Sequence, residues 1–296
     1  MATTLSEISD ALAGAVEAAG KFTVSVDARR GRGASGIVWG DGLVVTSSHV
    51  VEGDEDITVS DGEKEYKAAI AGRDGATDLA VLKVEGLGAA AAPRNTTARV
   101  GELALAVGRP SDLRASIGVV GSTASGRRGW RGSGLDGLIL TDAELYQGFS
   151  GGPLVNGNGE VIAVNSWYYG QGTTKSLPVD AADRVVQSLV AHGRVKQPYL
   201  GIGTQPVYLP DEVKATVGQD SGVMVINVEA DSPAAKAGVL QGDTLVGIDG
   251  TQVTGMRSLF TALQKVDVGS THSLKLVRAG EVKEVSVEVG ERAESE

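Results

Sequence analysis

The sequence predicts a mainly β protein with two domains. Its 296 residues are enough for about two domains at the usual ~150 residues each. Short β-rich runs, broken by Gly, Asp and Asn, follow one another from Lys21 to about Val179 with no helical pattern between them. The 42 glycines and the 4% aromatic content also favour turns and short strands over a helical bundle. Together these observations predict an all-β barrel or a pair of sandwiches at the start of the chain.

The segment before the first strand predicts an amphipathic helix over residues 1–20. The helix is expected to start at Thr3 or Thr4 and to end at Gly20. Its apolar stripe consists of Leu5, Ile8, Leu12 and Val16. No basic residue precedes the apolar part and acidic residues interrupt it, so the segment does not match a signal peptide. Because there are also no cysteines, the sequence indicates a cytoplasmic protein as written, or a cell-envelope protein if the chain has been trimmed.

The charge of the chain argues against two classes of partner. The net charge is −10, and no block of Lys and Arg occurs. Nucleic acid and anionic membrane surfaces are therefore poor candidates. No apolar run approaches the ~18 residues that a membrane-spanning helix requires.

The pattern changes near residue 180. An apolar stripe there predicts a helix that closes the β domain, with Asp180 as its N-cap and Gly193 as its stop. A second unit follows in which strands and helices alternate, and the charged last residues are expected to fray. The predicted organisation is a helical segment 1–20, a β domain 21–193, a linker 194–198, a second domain 199–290 and a tail 291–296.

Three residues at the ends of β-type segments carry the chemistry. They are His49, Asp78 and Ser150. A serine hydroxyl becomes a useful nucleophile when a histidine takes its proton, and a carboxylate behind the histidine fixes the tautomer. Taken singly, each has a simpler explanation: a packed histidine, an aspartate that caps a turn, and a serine in an ordinary glycine loop.

The stretch "YQGFSGGPL" around Ser150 strengthens the nucleophile interpretation. The glycines of this turn would let the backbone N–H groups of Gly148 and Ser150 converge on one point, as an oxyanion hole requires. The order His, Asp, Ser is that of chymotrypsin-type barrels rather than of subtilisins or α/β-hydrolases.

Four segments resemble the HtrA (high-temperature-requirement) family of serine proteases, and the resemblance extends from Lys21 to about Gly290. These segments are "GLVVTSSHVV", "DGATDLAVLKV", "GFSGGPLVNGNGEVIAVN" and "LPVDAADRVVQSLVAHGRVKQPYLGI". The fourth is similar to that family's passage from the protease into a PDZ domain. The resemblance implies a chymotrypsin-like double six-stranded β-barrel followed by an α+β PDZ domain.

The resemblance also implies roles for the site residues. His49 would be the general base and acid, Asp78 its orienting partner and Ser150 the nucleophile. Gly148 and Ser150 would form the oxyanion hole with a contribution from Phe149. Hydrolysis would proceed through an acyl-enzyme without a metal or other cofactor. Cleavage of peptide bonds follows from the resemblance alone, because the spacings would also allow an esterase.

Phe149 departs from the family pattern, in which Asn usually precedes the nucleophile. A large apolar side chain there could bury itself and lock the turn. Alternatively, it could favour a collapsed turn that opens only with substrate. The working hypothesis is that the ligand-free enzyme is partly inactive and that ligand binding reorders residues 145–150.

By analogy with the family, five residues are expected to line the pocket for the residue before the scissile bond. They are Leu145, Asn165, Ser166, Trp167 and Leu177, and they favour a small or medium aliphatic side chain. The aromatic run Trp167–Tyr169 could equally pack against a neighbouring loop or subunit. Ala124–Gly137 is interpreted as a mobile activation-type loop or as a merely solvated one.

In the second domain, "YLGI" resembles a PDZ carboxylate-binding loop. Its residues are Tyr199, Leu200, Gly201 and Ile202. The following strand would accept a C-terminal peptide as an added β-strand. The alternative is that this domain only shields the protease or spaces subunits. His192 and His272 have no metal-ligand partners at useful spacing and receive no role.

The sequence therefore predicts an ATP-independent serine endopeptidase that cleaves unfolded or damaged proteins and recognises C-terminal peptides. The alternative is a catalytically weak, chaperone-like or binding protein with a PDZ domain. The expected partners are unfolded chains, C-terminal peptides and further copies of this chain. A trimer is favoured, assembled through Leu5–Phe22 unless that segment folds back on its own barrel.

Overall fold

The computed structural model describes residues 4–28, 33–53, 55–123, 137–169, 174–196, 198–263 and 265–291. The chain divides into two compact units, Met1–Val195 and Lys196–Glu296. The predicted activation-type loop lies outside the described residues except for its last glycine, and so does nearly all of the predicted tail.

The first unit begins with a closed antiparallel barrel of six strands. Its strands follow the order β1-β2-β3-β6-β5-β4. The interior is packed with β-branched and leucine side chains, and β2 and β3 are buried along nearly their whole length. The strands are β1 (Thr23–Asp27), β2 (Ala34–Gly40), β3 (Leu43–Ser47), β4 (Ile57–Ser60), β5 (Glu65–Asp74) and β6 (Leu79–Val84).

A second closed barrel of six strands completes the first unit. Its order is β10-β11-β12-β9-β8-β7, and all pairings are antiparallel. The predicted double six-stranded barrel is thereby confirmed. The strands are β7 (Leu103–Gly108), β8 (Arg114–Ser122), β9 (Ile139–Thr141), β10 (Pro153–Val155), β11 (Val161–Asn165) and β12 (Thr174–Pro178).

Two helices flank the barrels. Helix α1 (Leu5–Gly20) is capped by Thr4 in a reciprocal capping box with Glu7. Only its C-terminal half packs on the first unit's core, so Leu5 is 86% exposed. Helix α2 (Val179–His192) closes the unit as predicted. It starts after Pro178 rather than at Asp180, and it ends at Gly193, whose φ of 74° is left-handed.

The second unit is an α+β fold built on one main antiparallel sheet, and Pro198–Tyr199 pairs with Gly290–Glu291 in a separate two-stranded sheet. The main path of the sheet is β14-β15-β16-β18-β19, which leaves β14 with a free edge. The strands are β13 (Pro198–Tyr199), β14 (Ile202–Tyr208), β15 (Ser221–Val228), β16 (Thr244–Ile248), β17 (Thr251–Gln252), β18 (Thr271–Arg278), β19 (Glu281–Glu288) and β20 (Gly290–Glu291). The helices are α3 (Asp211–Val217), α4 (Pro233–Lys236) and α5 (Met256–Leu263).

Candidate active site

The first barrel brings His49 and Asp78 together. His49 lies in a short 3-10 turn after β3, and Asp78 immediately precedes β6, the strand paired with β3. His49 Nδ1 lies 2.8 Å from Asp78 Oδ2, and the His49 backbone N–H donates to Asp78 Oδ1 at 2.9 Å. The imidazole is 32% exposed whereas the carboxylate is buried. The histidine can therefore reach a substrate while its partner stays out of water.

Asp78 is held by its own backbone and by the second barrel. Its φ of 52° is left-handed, a conformation that aspartate tolerates better than most residues. The Ser166 hydroxyl, directly after β11, donates to Asp78 Oδ2 at 2.5 Å. The Tyr169 hydroxyl donates to the Thr77 carbonyl at 2.5 Å, and burial raises the pKa of Tyr169 above its ordinary value. These contacts fix the carboxylate against the histidine.

Ser150 lies in the turn before β10, between the barrels. Its side chain is buried, and its Oγ accepts a hydrogen bond from the Trp167 backbone N–H at 3.2 Å. No hydrogen bond joins His49 to Ser150 in the described part of the chain. Accepting this bond leaves the hydroxyl proton free, so proton transfer requires only that Oγ comes within hydrogen-bond distance of His49 Nε2.

The turn presents two free donors beside Ser150. Within the described ranges, the backbone N–H groups of Gly148 and Ser150 donate to no other group. Gly148 has a φ of 88°, and a Cβ there would lie 2.5 Å from Pro110 Cβ and 2.9 Å from the Gly33 carbonyl oxygen. Only glycine fits this position. A pair of unpartnered donors at a nucleophile is the arrangement that stabilises an oxyanion.

Phe149 contributes packing but no donor. Its N–H donates to the Tyr146 carbonyl at 3.0 Å, so in this geometry that N–H is not free to make the contribution to the oxyanion hole that the family resemblance implies. The ring is fully buried in the core of the second barrel and meets Tyr146 edge-on at 5.3 Å between ring centroids. This burial matches the first of the two alternatives, in which the side chain locks the turn.

The five predicted pocket residues do not form one substrate-facing surface. Leu145 and Leu177 are buried in hydrophobic cores. Both ends of the Asn165 amide are occupied, since Nδ2 donates to the Pro153 carbonyl at 2.8 Å and Oδ1 accepts from Ser176 at 2.9 Å. Ser166 contacts Asp78, and the half-exposed Trp167 is the one large side chain of the set that is open to a ligand. The sequence predicted that these residues lie near the nucleophile, but it could not predict the direction in which their polar atoms point.

The predicted PDZ loop, Tyr199–Ile202, also offers free donors. In the described second unit, the N–H groups of Leu200 and Gly201 donate to no protein group. Gly201 has a φ of 75°, and a Cβ there would lie 2.2 Å from Ser232 Cβ. The loop leads directly into the free edge of β14, which α5 contacts.

Two other properties concern the described residues only. No group of three or more His, Cys, Asp and Glu side chains there is arranged to hold a metal ion. None of the helices in the same ranges is both long and apolar enough to cross a bilayer.

The fold and this site define a trypsin-like peptidase domain followed by one PDZ domain. Residues 34–164 match the trypsin-like peptidase domain family and residues 198–289 match the PDZ domain family. The chain belongs to the HtrA family of serine proteases, as the resemblance of its motifs implied.

Individual relatives support this assignment. The chain is 38% identical over 272 residues to a probable periplasmic serine endoprotease DegP-like of Chlamydia trachomatis, covering 87% of this chain and 54% of that protein. It is 34% identical to the protein of the same name from Halomonas elongata, covering 90% of this chain and 58% of that protein. The chain thus spans a little over half the length of these curated relatives.

Solved structures match over nearly their whole length. The serine endoprotease from Yersinia pestis has a TM-score of 0.78 and 27% identity, covering 99% of this chain and 100% of that one. The HtrA-type protease AlgW with a tripeptide has a TM-score of 0.81 and 28% identity, covering 96% and 98%.

The comparisons correct one prediction. The sequence indicated a cytoplasmic protein as written, but the curated relatives are named periplasmic endoproteases, so the cytoplasmic prediction is wrong. The N-terminal pattern could not reveal this, because a segment without a leader pattern carries no information about the compartment in which the relatives work.

Proposed function

We propose that this chain is an ATP-independent serine endopeptidase that hydrolyses peptide bonds in unfolded or damaged proteins through an acyl-enzyme. One observation carries the proposal: Ser150 lies beside two unpartnered N–H groups, in a unit that also holds a histidine fixed by a buried carboxylate. Residues 21–193 would form the peptidase domain and residues 199–290 the PDZ domain. The periplasmic names of the relatives support a place in the cell envelope.

The geometry supports a specific order of proton transfers. Asp78 keeps the proton on His49 Nδ1, so that Nε2 is free to accept one. The Ser150 hydroxyl comes within hydrogen-bond distance of His49 and gives its proton to Nε2 as Oγ bonds to the substrate carbonyl carbon. The oxygen of that carbonyl becomes negative and accepts hydrogen bonds from the Gly148 and Ser150 N–H groups.

The second half of the reaction uses the same groups. His49 returns its proton to the leaving amine, the C–N bond breaks, and the acyl group stays on Ser150. A water molecule then gives a proton to Nε2 and attacks the ester, which releases the acid and restores the Ser150 hydroxyl. Neither half needs a metal, a nucleotide or another cofactor.

We assign peptide capture to the second unit. A C-terminal carboxylate would accept hydrogen bonds from the free N–H groups of Leu200 and Gly201, and the peptide would extend the sheet along β14. On α5, Met256 is half-buried against Thr204 and Phe260 is 40% exposed, so both are available to an apolar last side chain. The HtrA-type protease AlgW has been solved with a decapeptide and with a tripeptide, which supports peptide ligands for this fold.

Assembly into a homo-oligomer, with a trimer favoured, is part of the proposal. The N-terminal half of α1 exposes Leu5 and Ile8, and further along the helix a groove of about 750 Å³ lies between α1 and strands β7 and β8. Apolar surface that is left open on a helix and in an adjoining groove favours a second copy as its cover. Light scattering of the purified chain, compared with a Leu5→Ser, Ile8→Ser double variant, measures this directly.

The test of the activity compares the protein with its Ser150→Ala variant on reduced casein, with and without a peptide that has a hydrophobic C-terminus. Cleavage by the parent that vanishes in Ser150→Ala establishes the nucleophile. Stimulation of the parent by the peptide supports a link between the PDZ domain and the protease. If neither protein cleaves casein in the presence of peptide, the endopeptidase proposal fails and the chaperone-like alternative replaces it. Suppression of casein aggregation by Ser150→Ala would then be the measurement to make.

A further inference from the structure

Ser35 of β2 directs two of its polar groups at the turn that carries the nucleophile. It is fully buried in the first barrel, and the turn belongs to the second. The Ser35 N–H donates to the Ser150 carbonyl at 3.2 Å, and the Ser35 hydroxyl donates to the Gly148 carbonyl at 2.6 Å. One side chain and its own backbone therefore hold the residues on both sides of Phe149.

The direction of the hydroxyl bond is fixed by a third group. The backbone N–H of Arg109 donates to Ser35 Oγ at 2.8 Å, and an amide can only donate. The single hydroxyl proton of Ser35 must therefore go to the Gly148 carbonyl. Arg109 is itself anchored, because its guanidinium donates to the carbonyls of Thr23 and Gly20 at 2.7 Å each.

This bond bears on the oxyanion hole. The peptide group between Gly148 and Phe149 is tied at both ends, its carbonyl to Ser35 and its N–H to Tyr146. The flanking N–H groups of Gly148 and Ser150 remain free as a result. If this peptide group rotated, its carbonyl oxygen could turn towards the nucleophile and place a negative dipole where the reaction needs donors.

The approach of strand and turn is close enough to require glycine on the turn. A Cβ at Gly151 would lie 2.2 Å from the Ser35 carbonyl oxygen, and one at Gly152 would lie 3.0 Å from Ser35 Cβ. Gly151 therefore allows the contact with β2, whereas Gly152 lies against both β2 and the Val107 carbonyl oxygen of β7, which a Cβ would approach to 2.4 Å. A serine fits at residue 35 because it is small and can donate one hydrogen bond.

We propose that Ser35 is a positioning residue for the oxyanion hole: its hydroxyl, polarised by the Arg109 amide, holds the Gly148 carbonyl so that the N–H groups of Gly148 and Ser150 face the substrate. The inference rests on the proposed peptidase function. It concerns the transition state and not the binding of substrate, because Ser35 itself is buried and out of reach of a ligand.

The test uses two substitutions at residue 35 and a matched control. Ser35→Ala removes the donor, and Ser35→Cys keeps a side chain of similar shape with a weaker donor. The control is Thr141→Val, which removes a buried hydroxyl of the second barrel, one that accepts from the Ala143 N–H at 3.1 Å. Each variant is assayed for kcat and KM on fluorescent casein and for the rate of Ser150 labelling by a fluorophosphonate.

We expect kcat to fall roughly 10- to 100-fold in Ser35→Ala, less than the 10²–10³ lost with a whole oxyanion donor, while KM changes little. The kcat of Ser35→Cys should lie between that of Ser35→Ala and that of the parent. Labelling should slow in parallel, because the phosphoryl oxygen needs the same hole as fluoride leaves and His49 takes the serine proton. Thr141→Val should keep the parent's kcat.

The outcomes separate the inference from the function on which it rests. A parent that neither cleaves casein nor takes the label refutes the peptidase. An active parent whose Ser35→Ala variant keeps its kcat and labelling rate refutes the role of Ser35 alone. A rise in KM with unchanged kcat also contradicts the inference. If Ser35→Ala does not fold, Ser35→Cys is compared with Thr141→Val, and equal kcat values in these two variants refute the inference.

Discussion

The packing of Phe149 on Gly108 gives the sharpest stability prediction. Gly108 ends β7, and a Cβ built there would lie 2.5 Å from Cδ1 of the Phe149 ring. The ring therefore lies directly against the Gly108 backbone. Phe149→Ala should open a cavity in the core of the second barrel, and Gly108→Ala should force the ring out of place.

The expected magnitudes follow from those two effects. Truncating a fully buried Phe to Ala costs about 3–5 kcal/mol in the free energy of unfolding. Adding a methyl group to a filled site costs about 1–3 kcal/mol. In the double variant the new methyl group enters the space that the ring has left, so Gly108→Ala should then cost close to nothing. The coupling free energy between the two positions should be about 1–3 kcal/mol in favour of the double variant.

Urea unfolding followed by tryptophan fluorescence measures these free energies. All three tryptophans, Trp39, Trp130 and Trp167, lie in the first unit, so the signal reports that unit without the PDZ domain. The four proteins should be made in the Ser150→Ala background, which prevents self-digestion during the measurement. If the two single effects simply add, the ring does not occupy the Gly108 surface and the packing argument for a locked turn is wrong.

Three further predictions test the sites individually. Ser166→Ala should lower kcat on casein about 10-fold or more with little change in KM, because a hydrogen bond to the Asp78 carboxylate is worth about 1.5–3 kcal/mol; an unchanged kcat would remove Ser166 from the site. Burial by itself would raise the pKa of Asp243, but hydrogen bonds from Arg278 and a backbone N–H hold it below its ordinary value. The second unit should therefore lose stability as the pH falls below about 4, and calorimetry should find this loss diminished in Asp243→Asn. Gly201→Ala should weaken binding of a hydrophobic C-terminal peptide at least about 10-fold in calorimetric titration, because its Cβ would overlap Ser232 and its φ is left-handed; equal affinity would move the carboxylate site elsewhere.

The strand runs and turns of the sequence predicted a barrel or a pair of sandwiches, and the residues at strand ends made His49 and Asp78 candidates. The double six-stranded barrel and the roles of these two residues followed from the resemblance to the HtrA family. The sequence was also sufficient to identify Gly148 as a residue that must lack a side chain. What it could not provide was the orientation of polar groups between the two barrels. Ser35 and Gly148 are 113 residues apart, and nothing in the run "ASGIVW" distinguishes a serine that positions a turn from one that only packs.

The errors have the same physical origin. Analogy with the family places both Asn165 and Ser166 in the substrate pocket. Successive side chains at a strand end point in opposite directions, so Asn165 braces β10 and β12 while Ser166 contacts Asp78. In α1 the apolar stripe was predicted correctly as a pattern. The C-terminal part of the helix packs on the core of the first unit, and the spacing of the apolar residues does not predict which part of the stripe makes that contact.

The resting position of the Ser150 hydroxyl bears on the question that Phe149 raised. Two features of the described turn favour a formed oxyanion hole: the buried Phe149 ring and the free N–H groups of Gly148 and Ser150. What remains is for Ser150 Oγ to come within reach of His49. The bond that it would give up in moving is the one it accepts from the Trp167 N–H at 3.2 Å, a neutral bond worth about 1 kcal/mol net. Breaking it costs less than a factor of 10 in rate, since 1.4 kcal/mol corresponds to tenfold. We therefore expect slow but measurable cleavage without any activating peptide. Activation should then act mainly on residues 167–169, whose turn supplies this N–H, rather than by rebuilding residues 145–150.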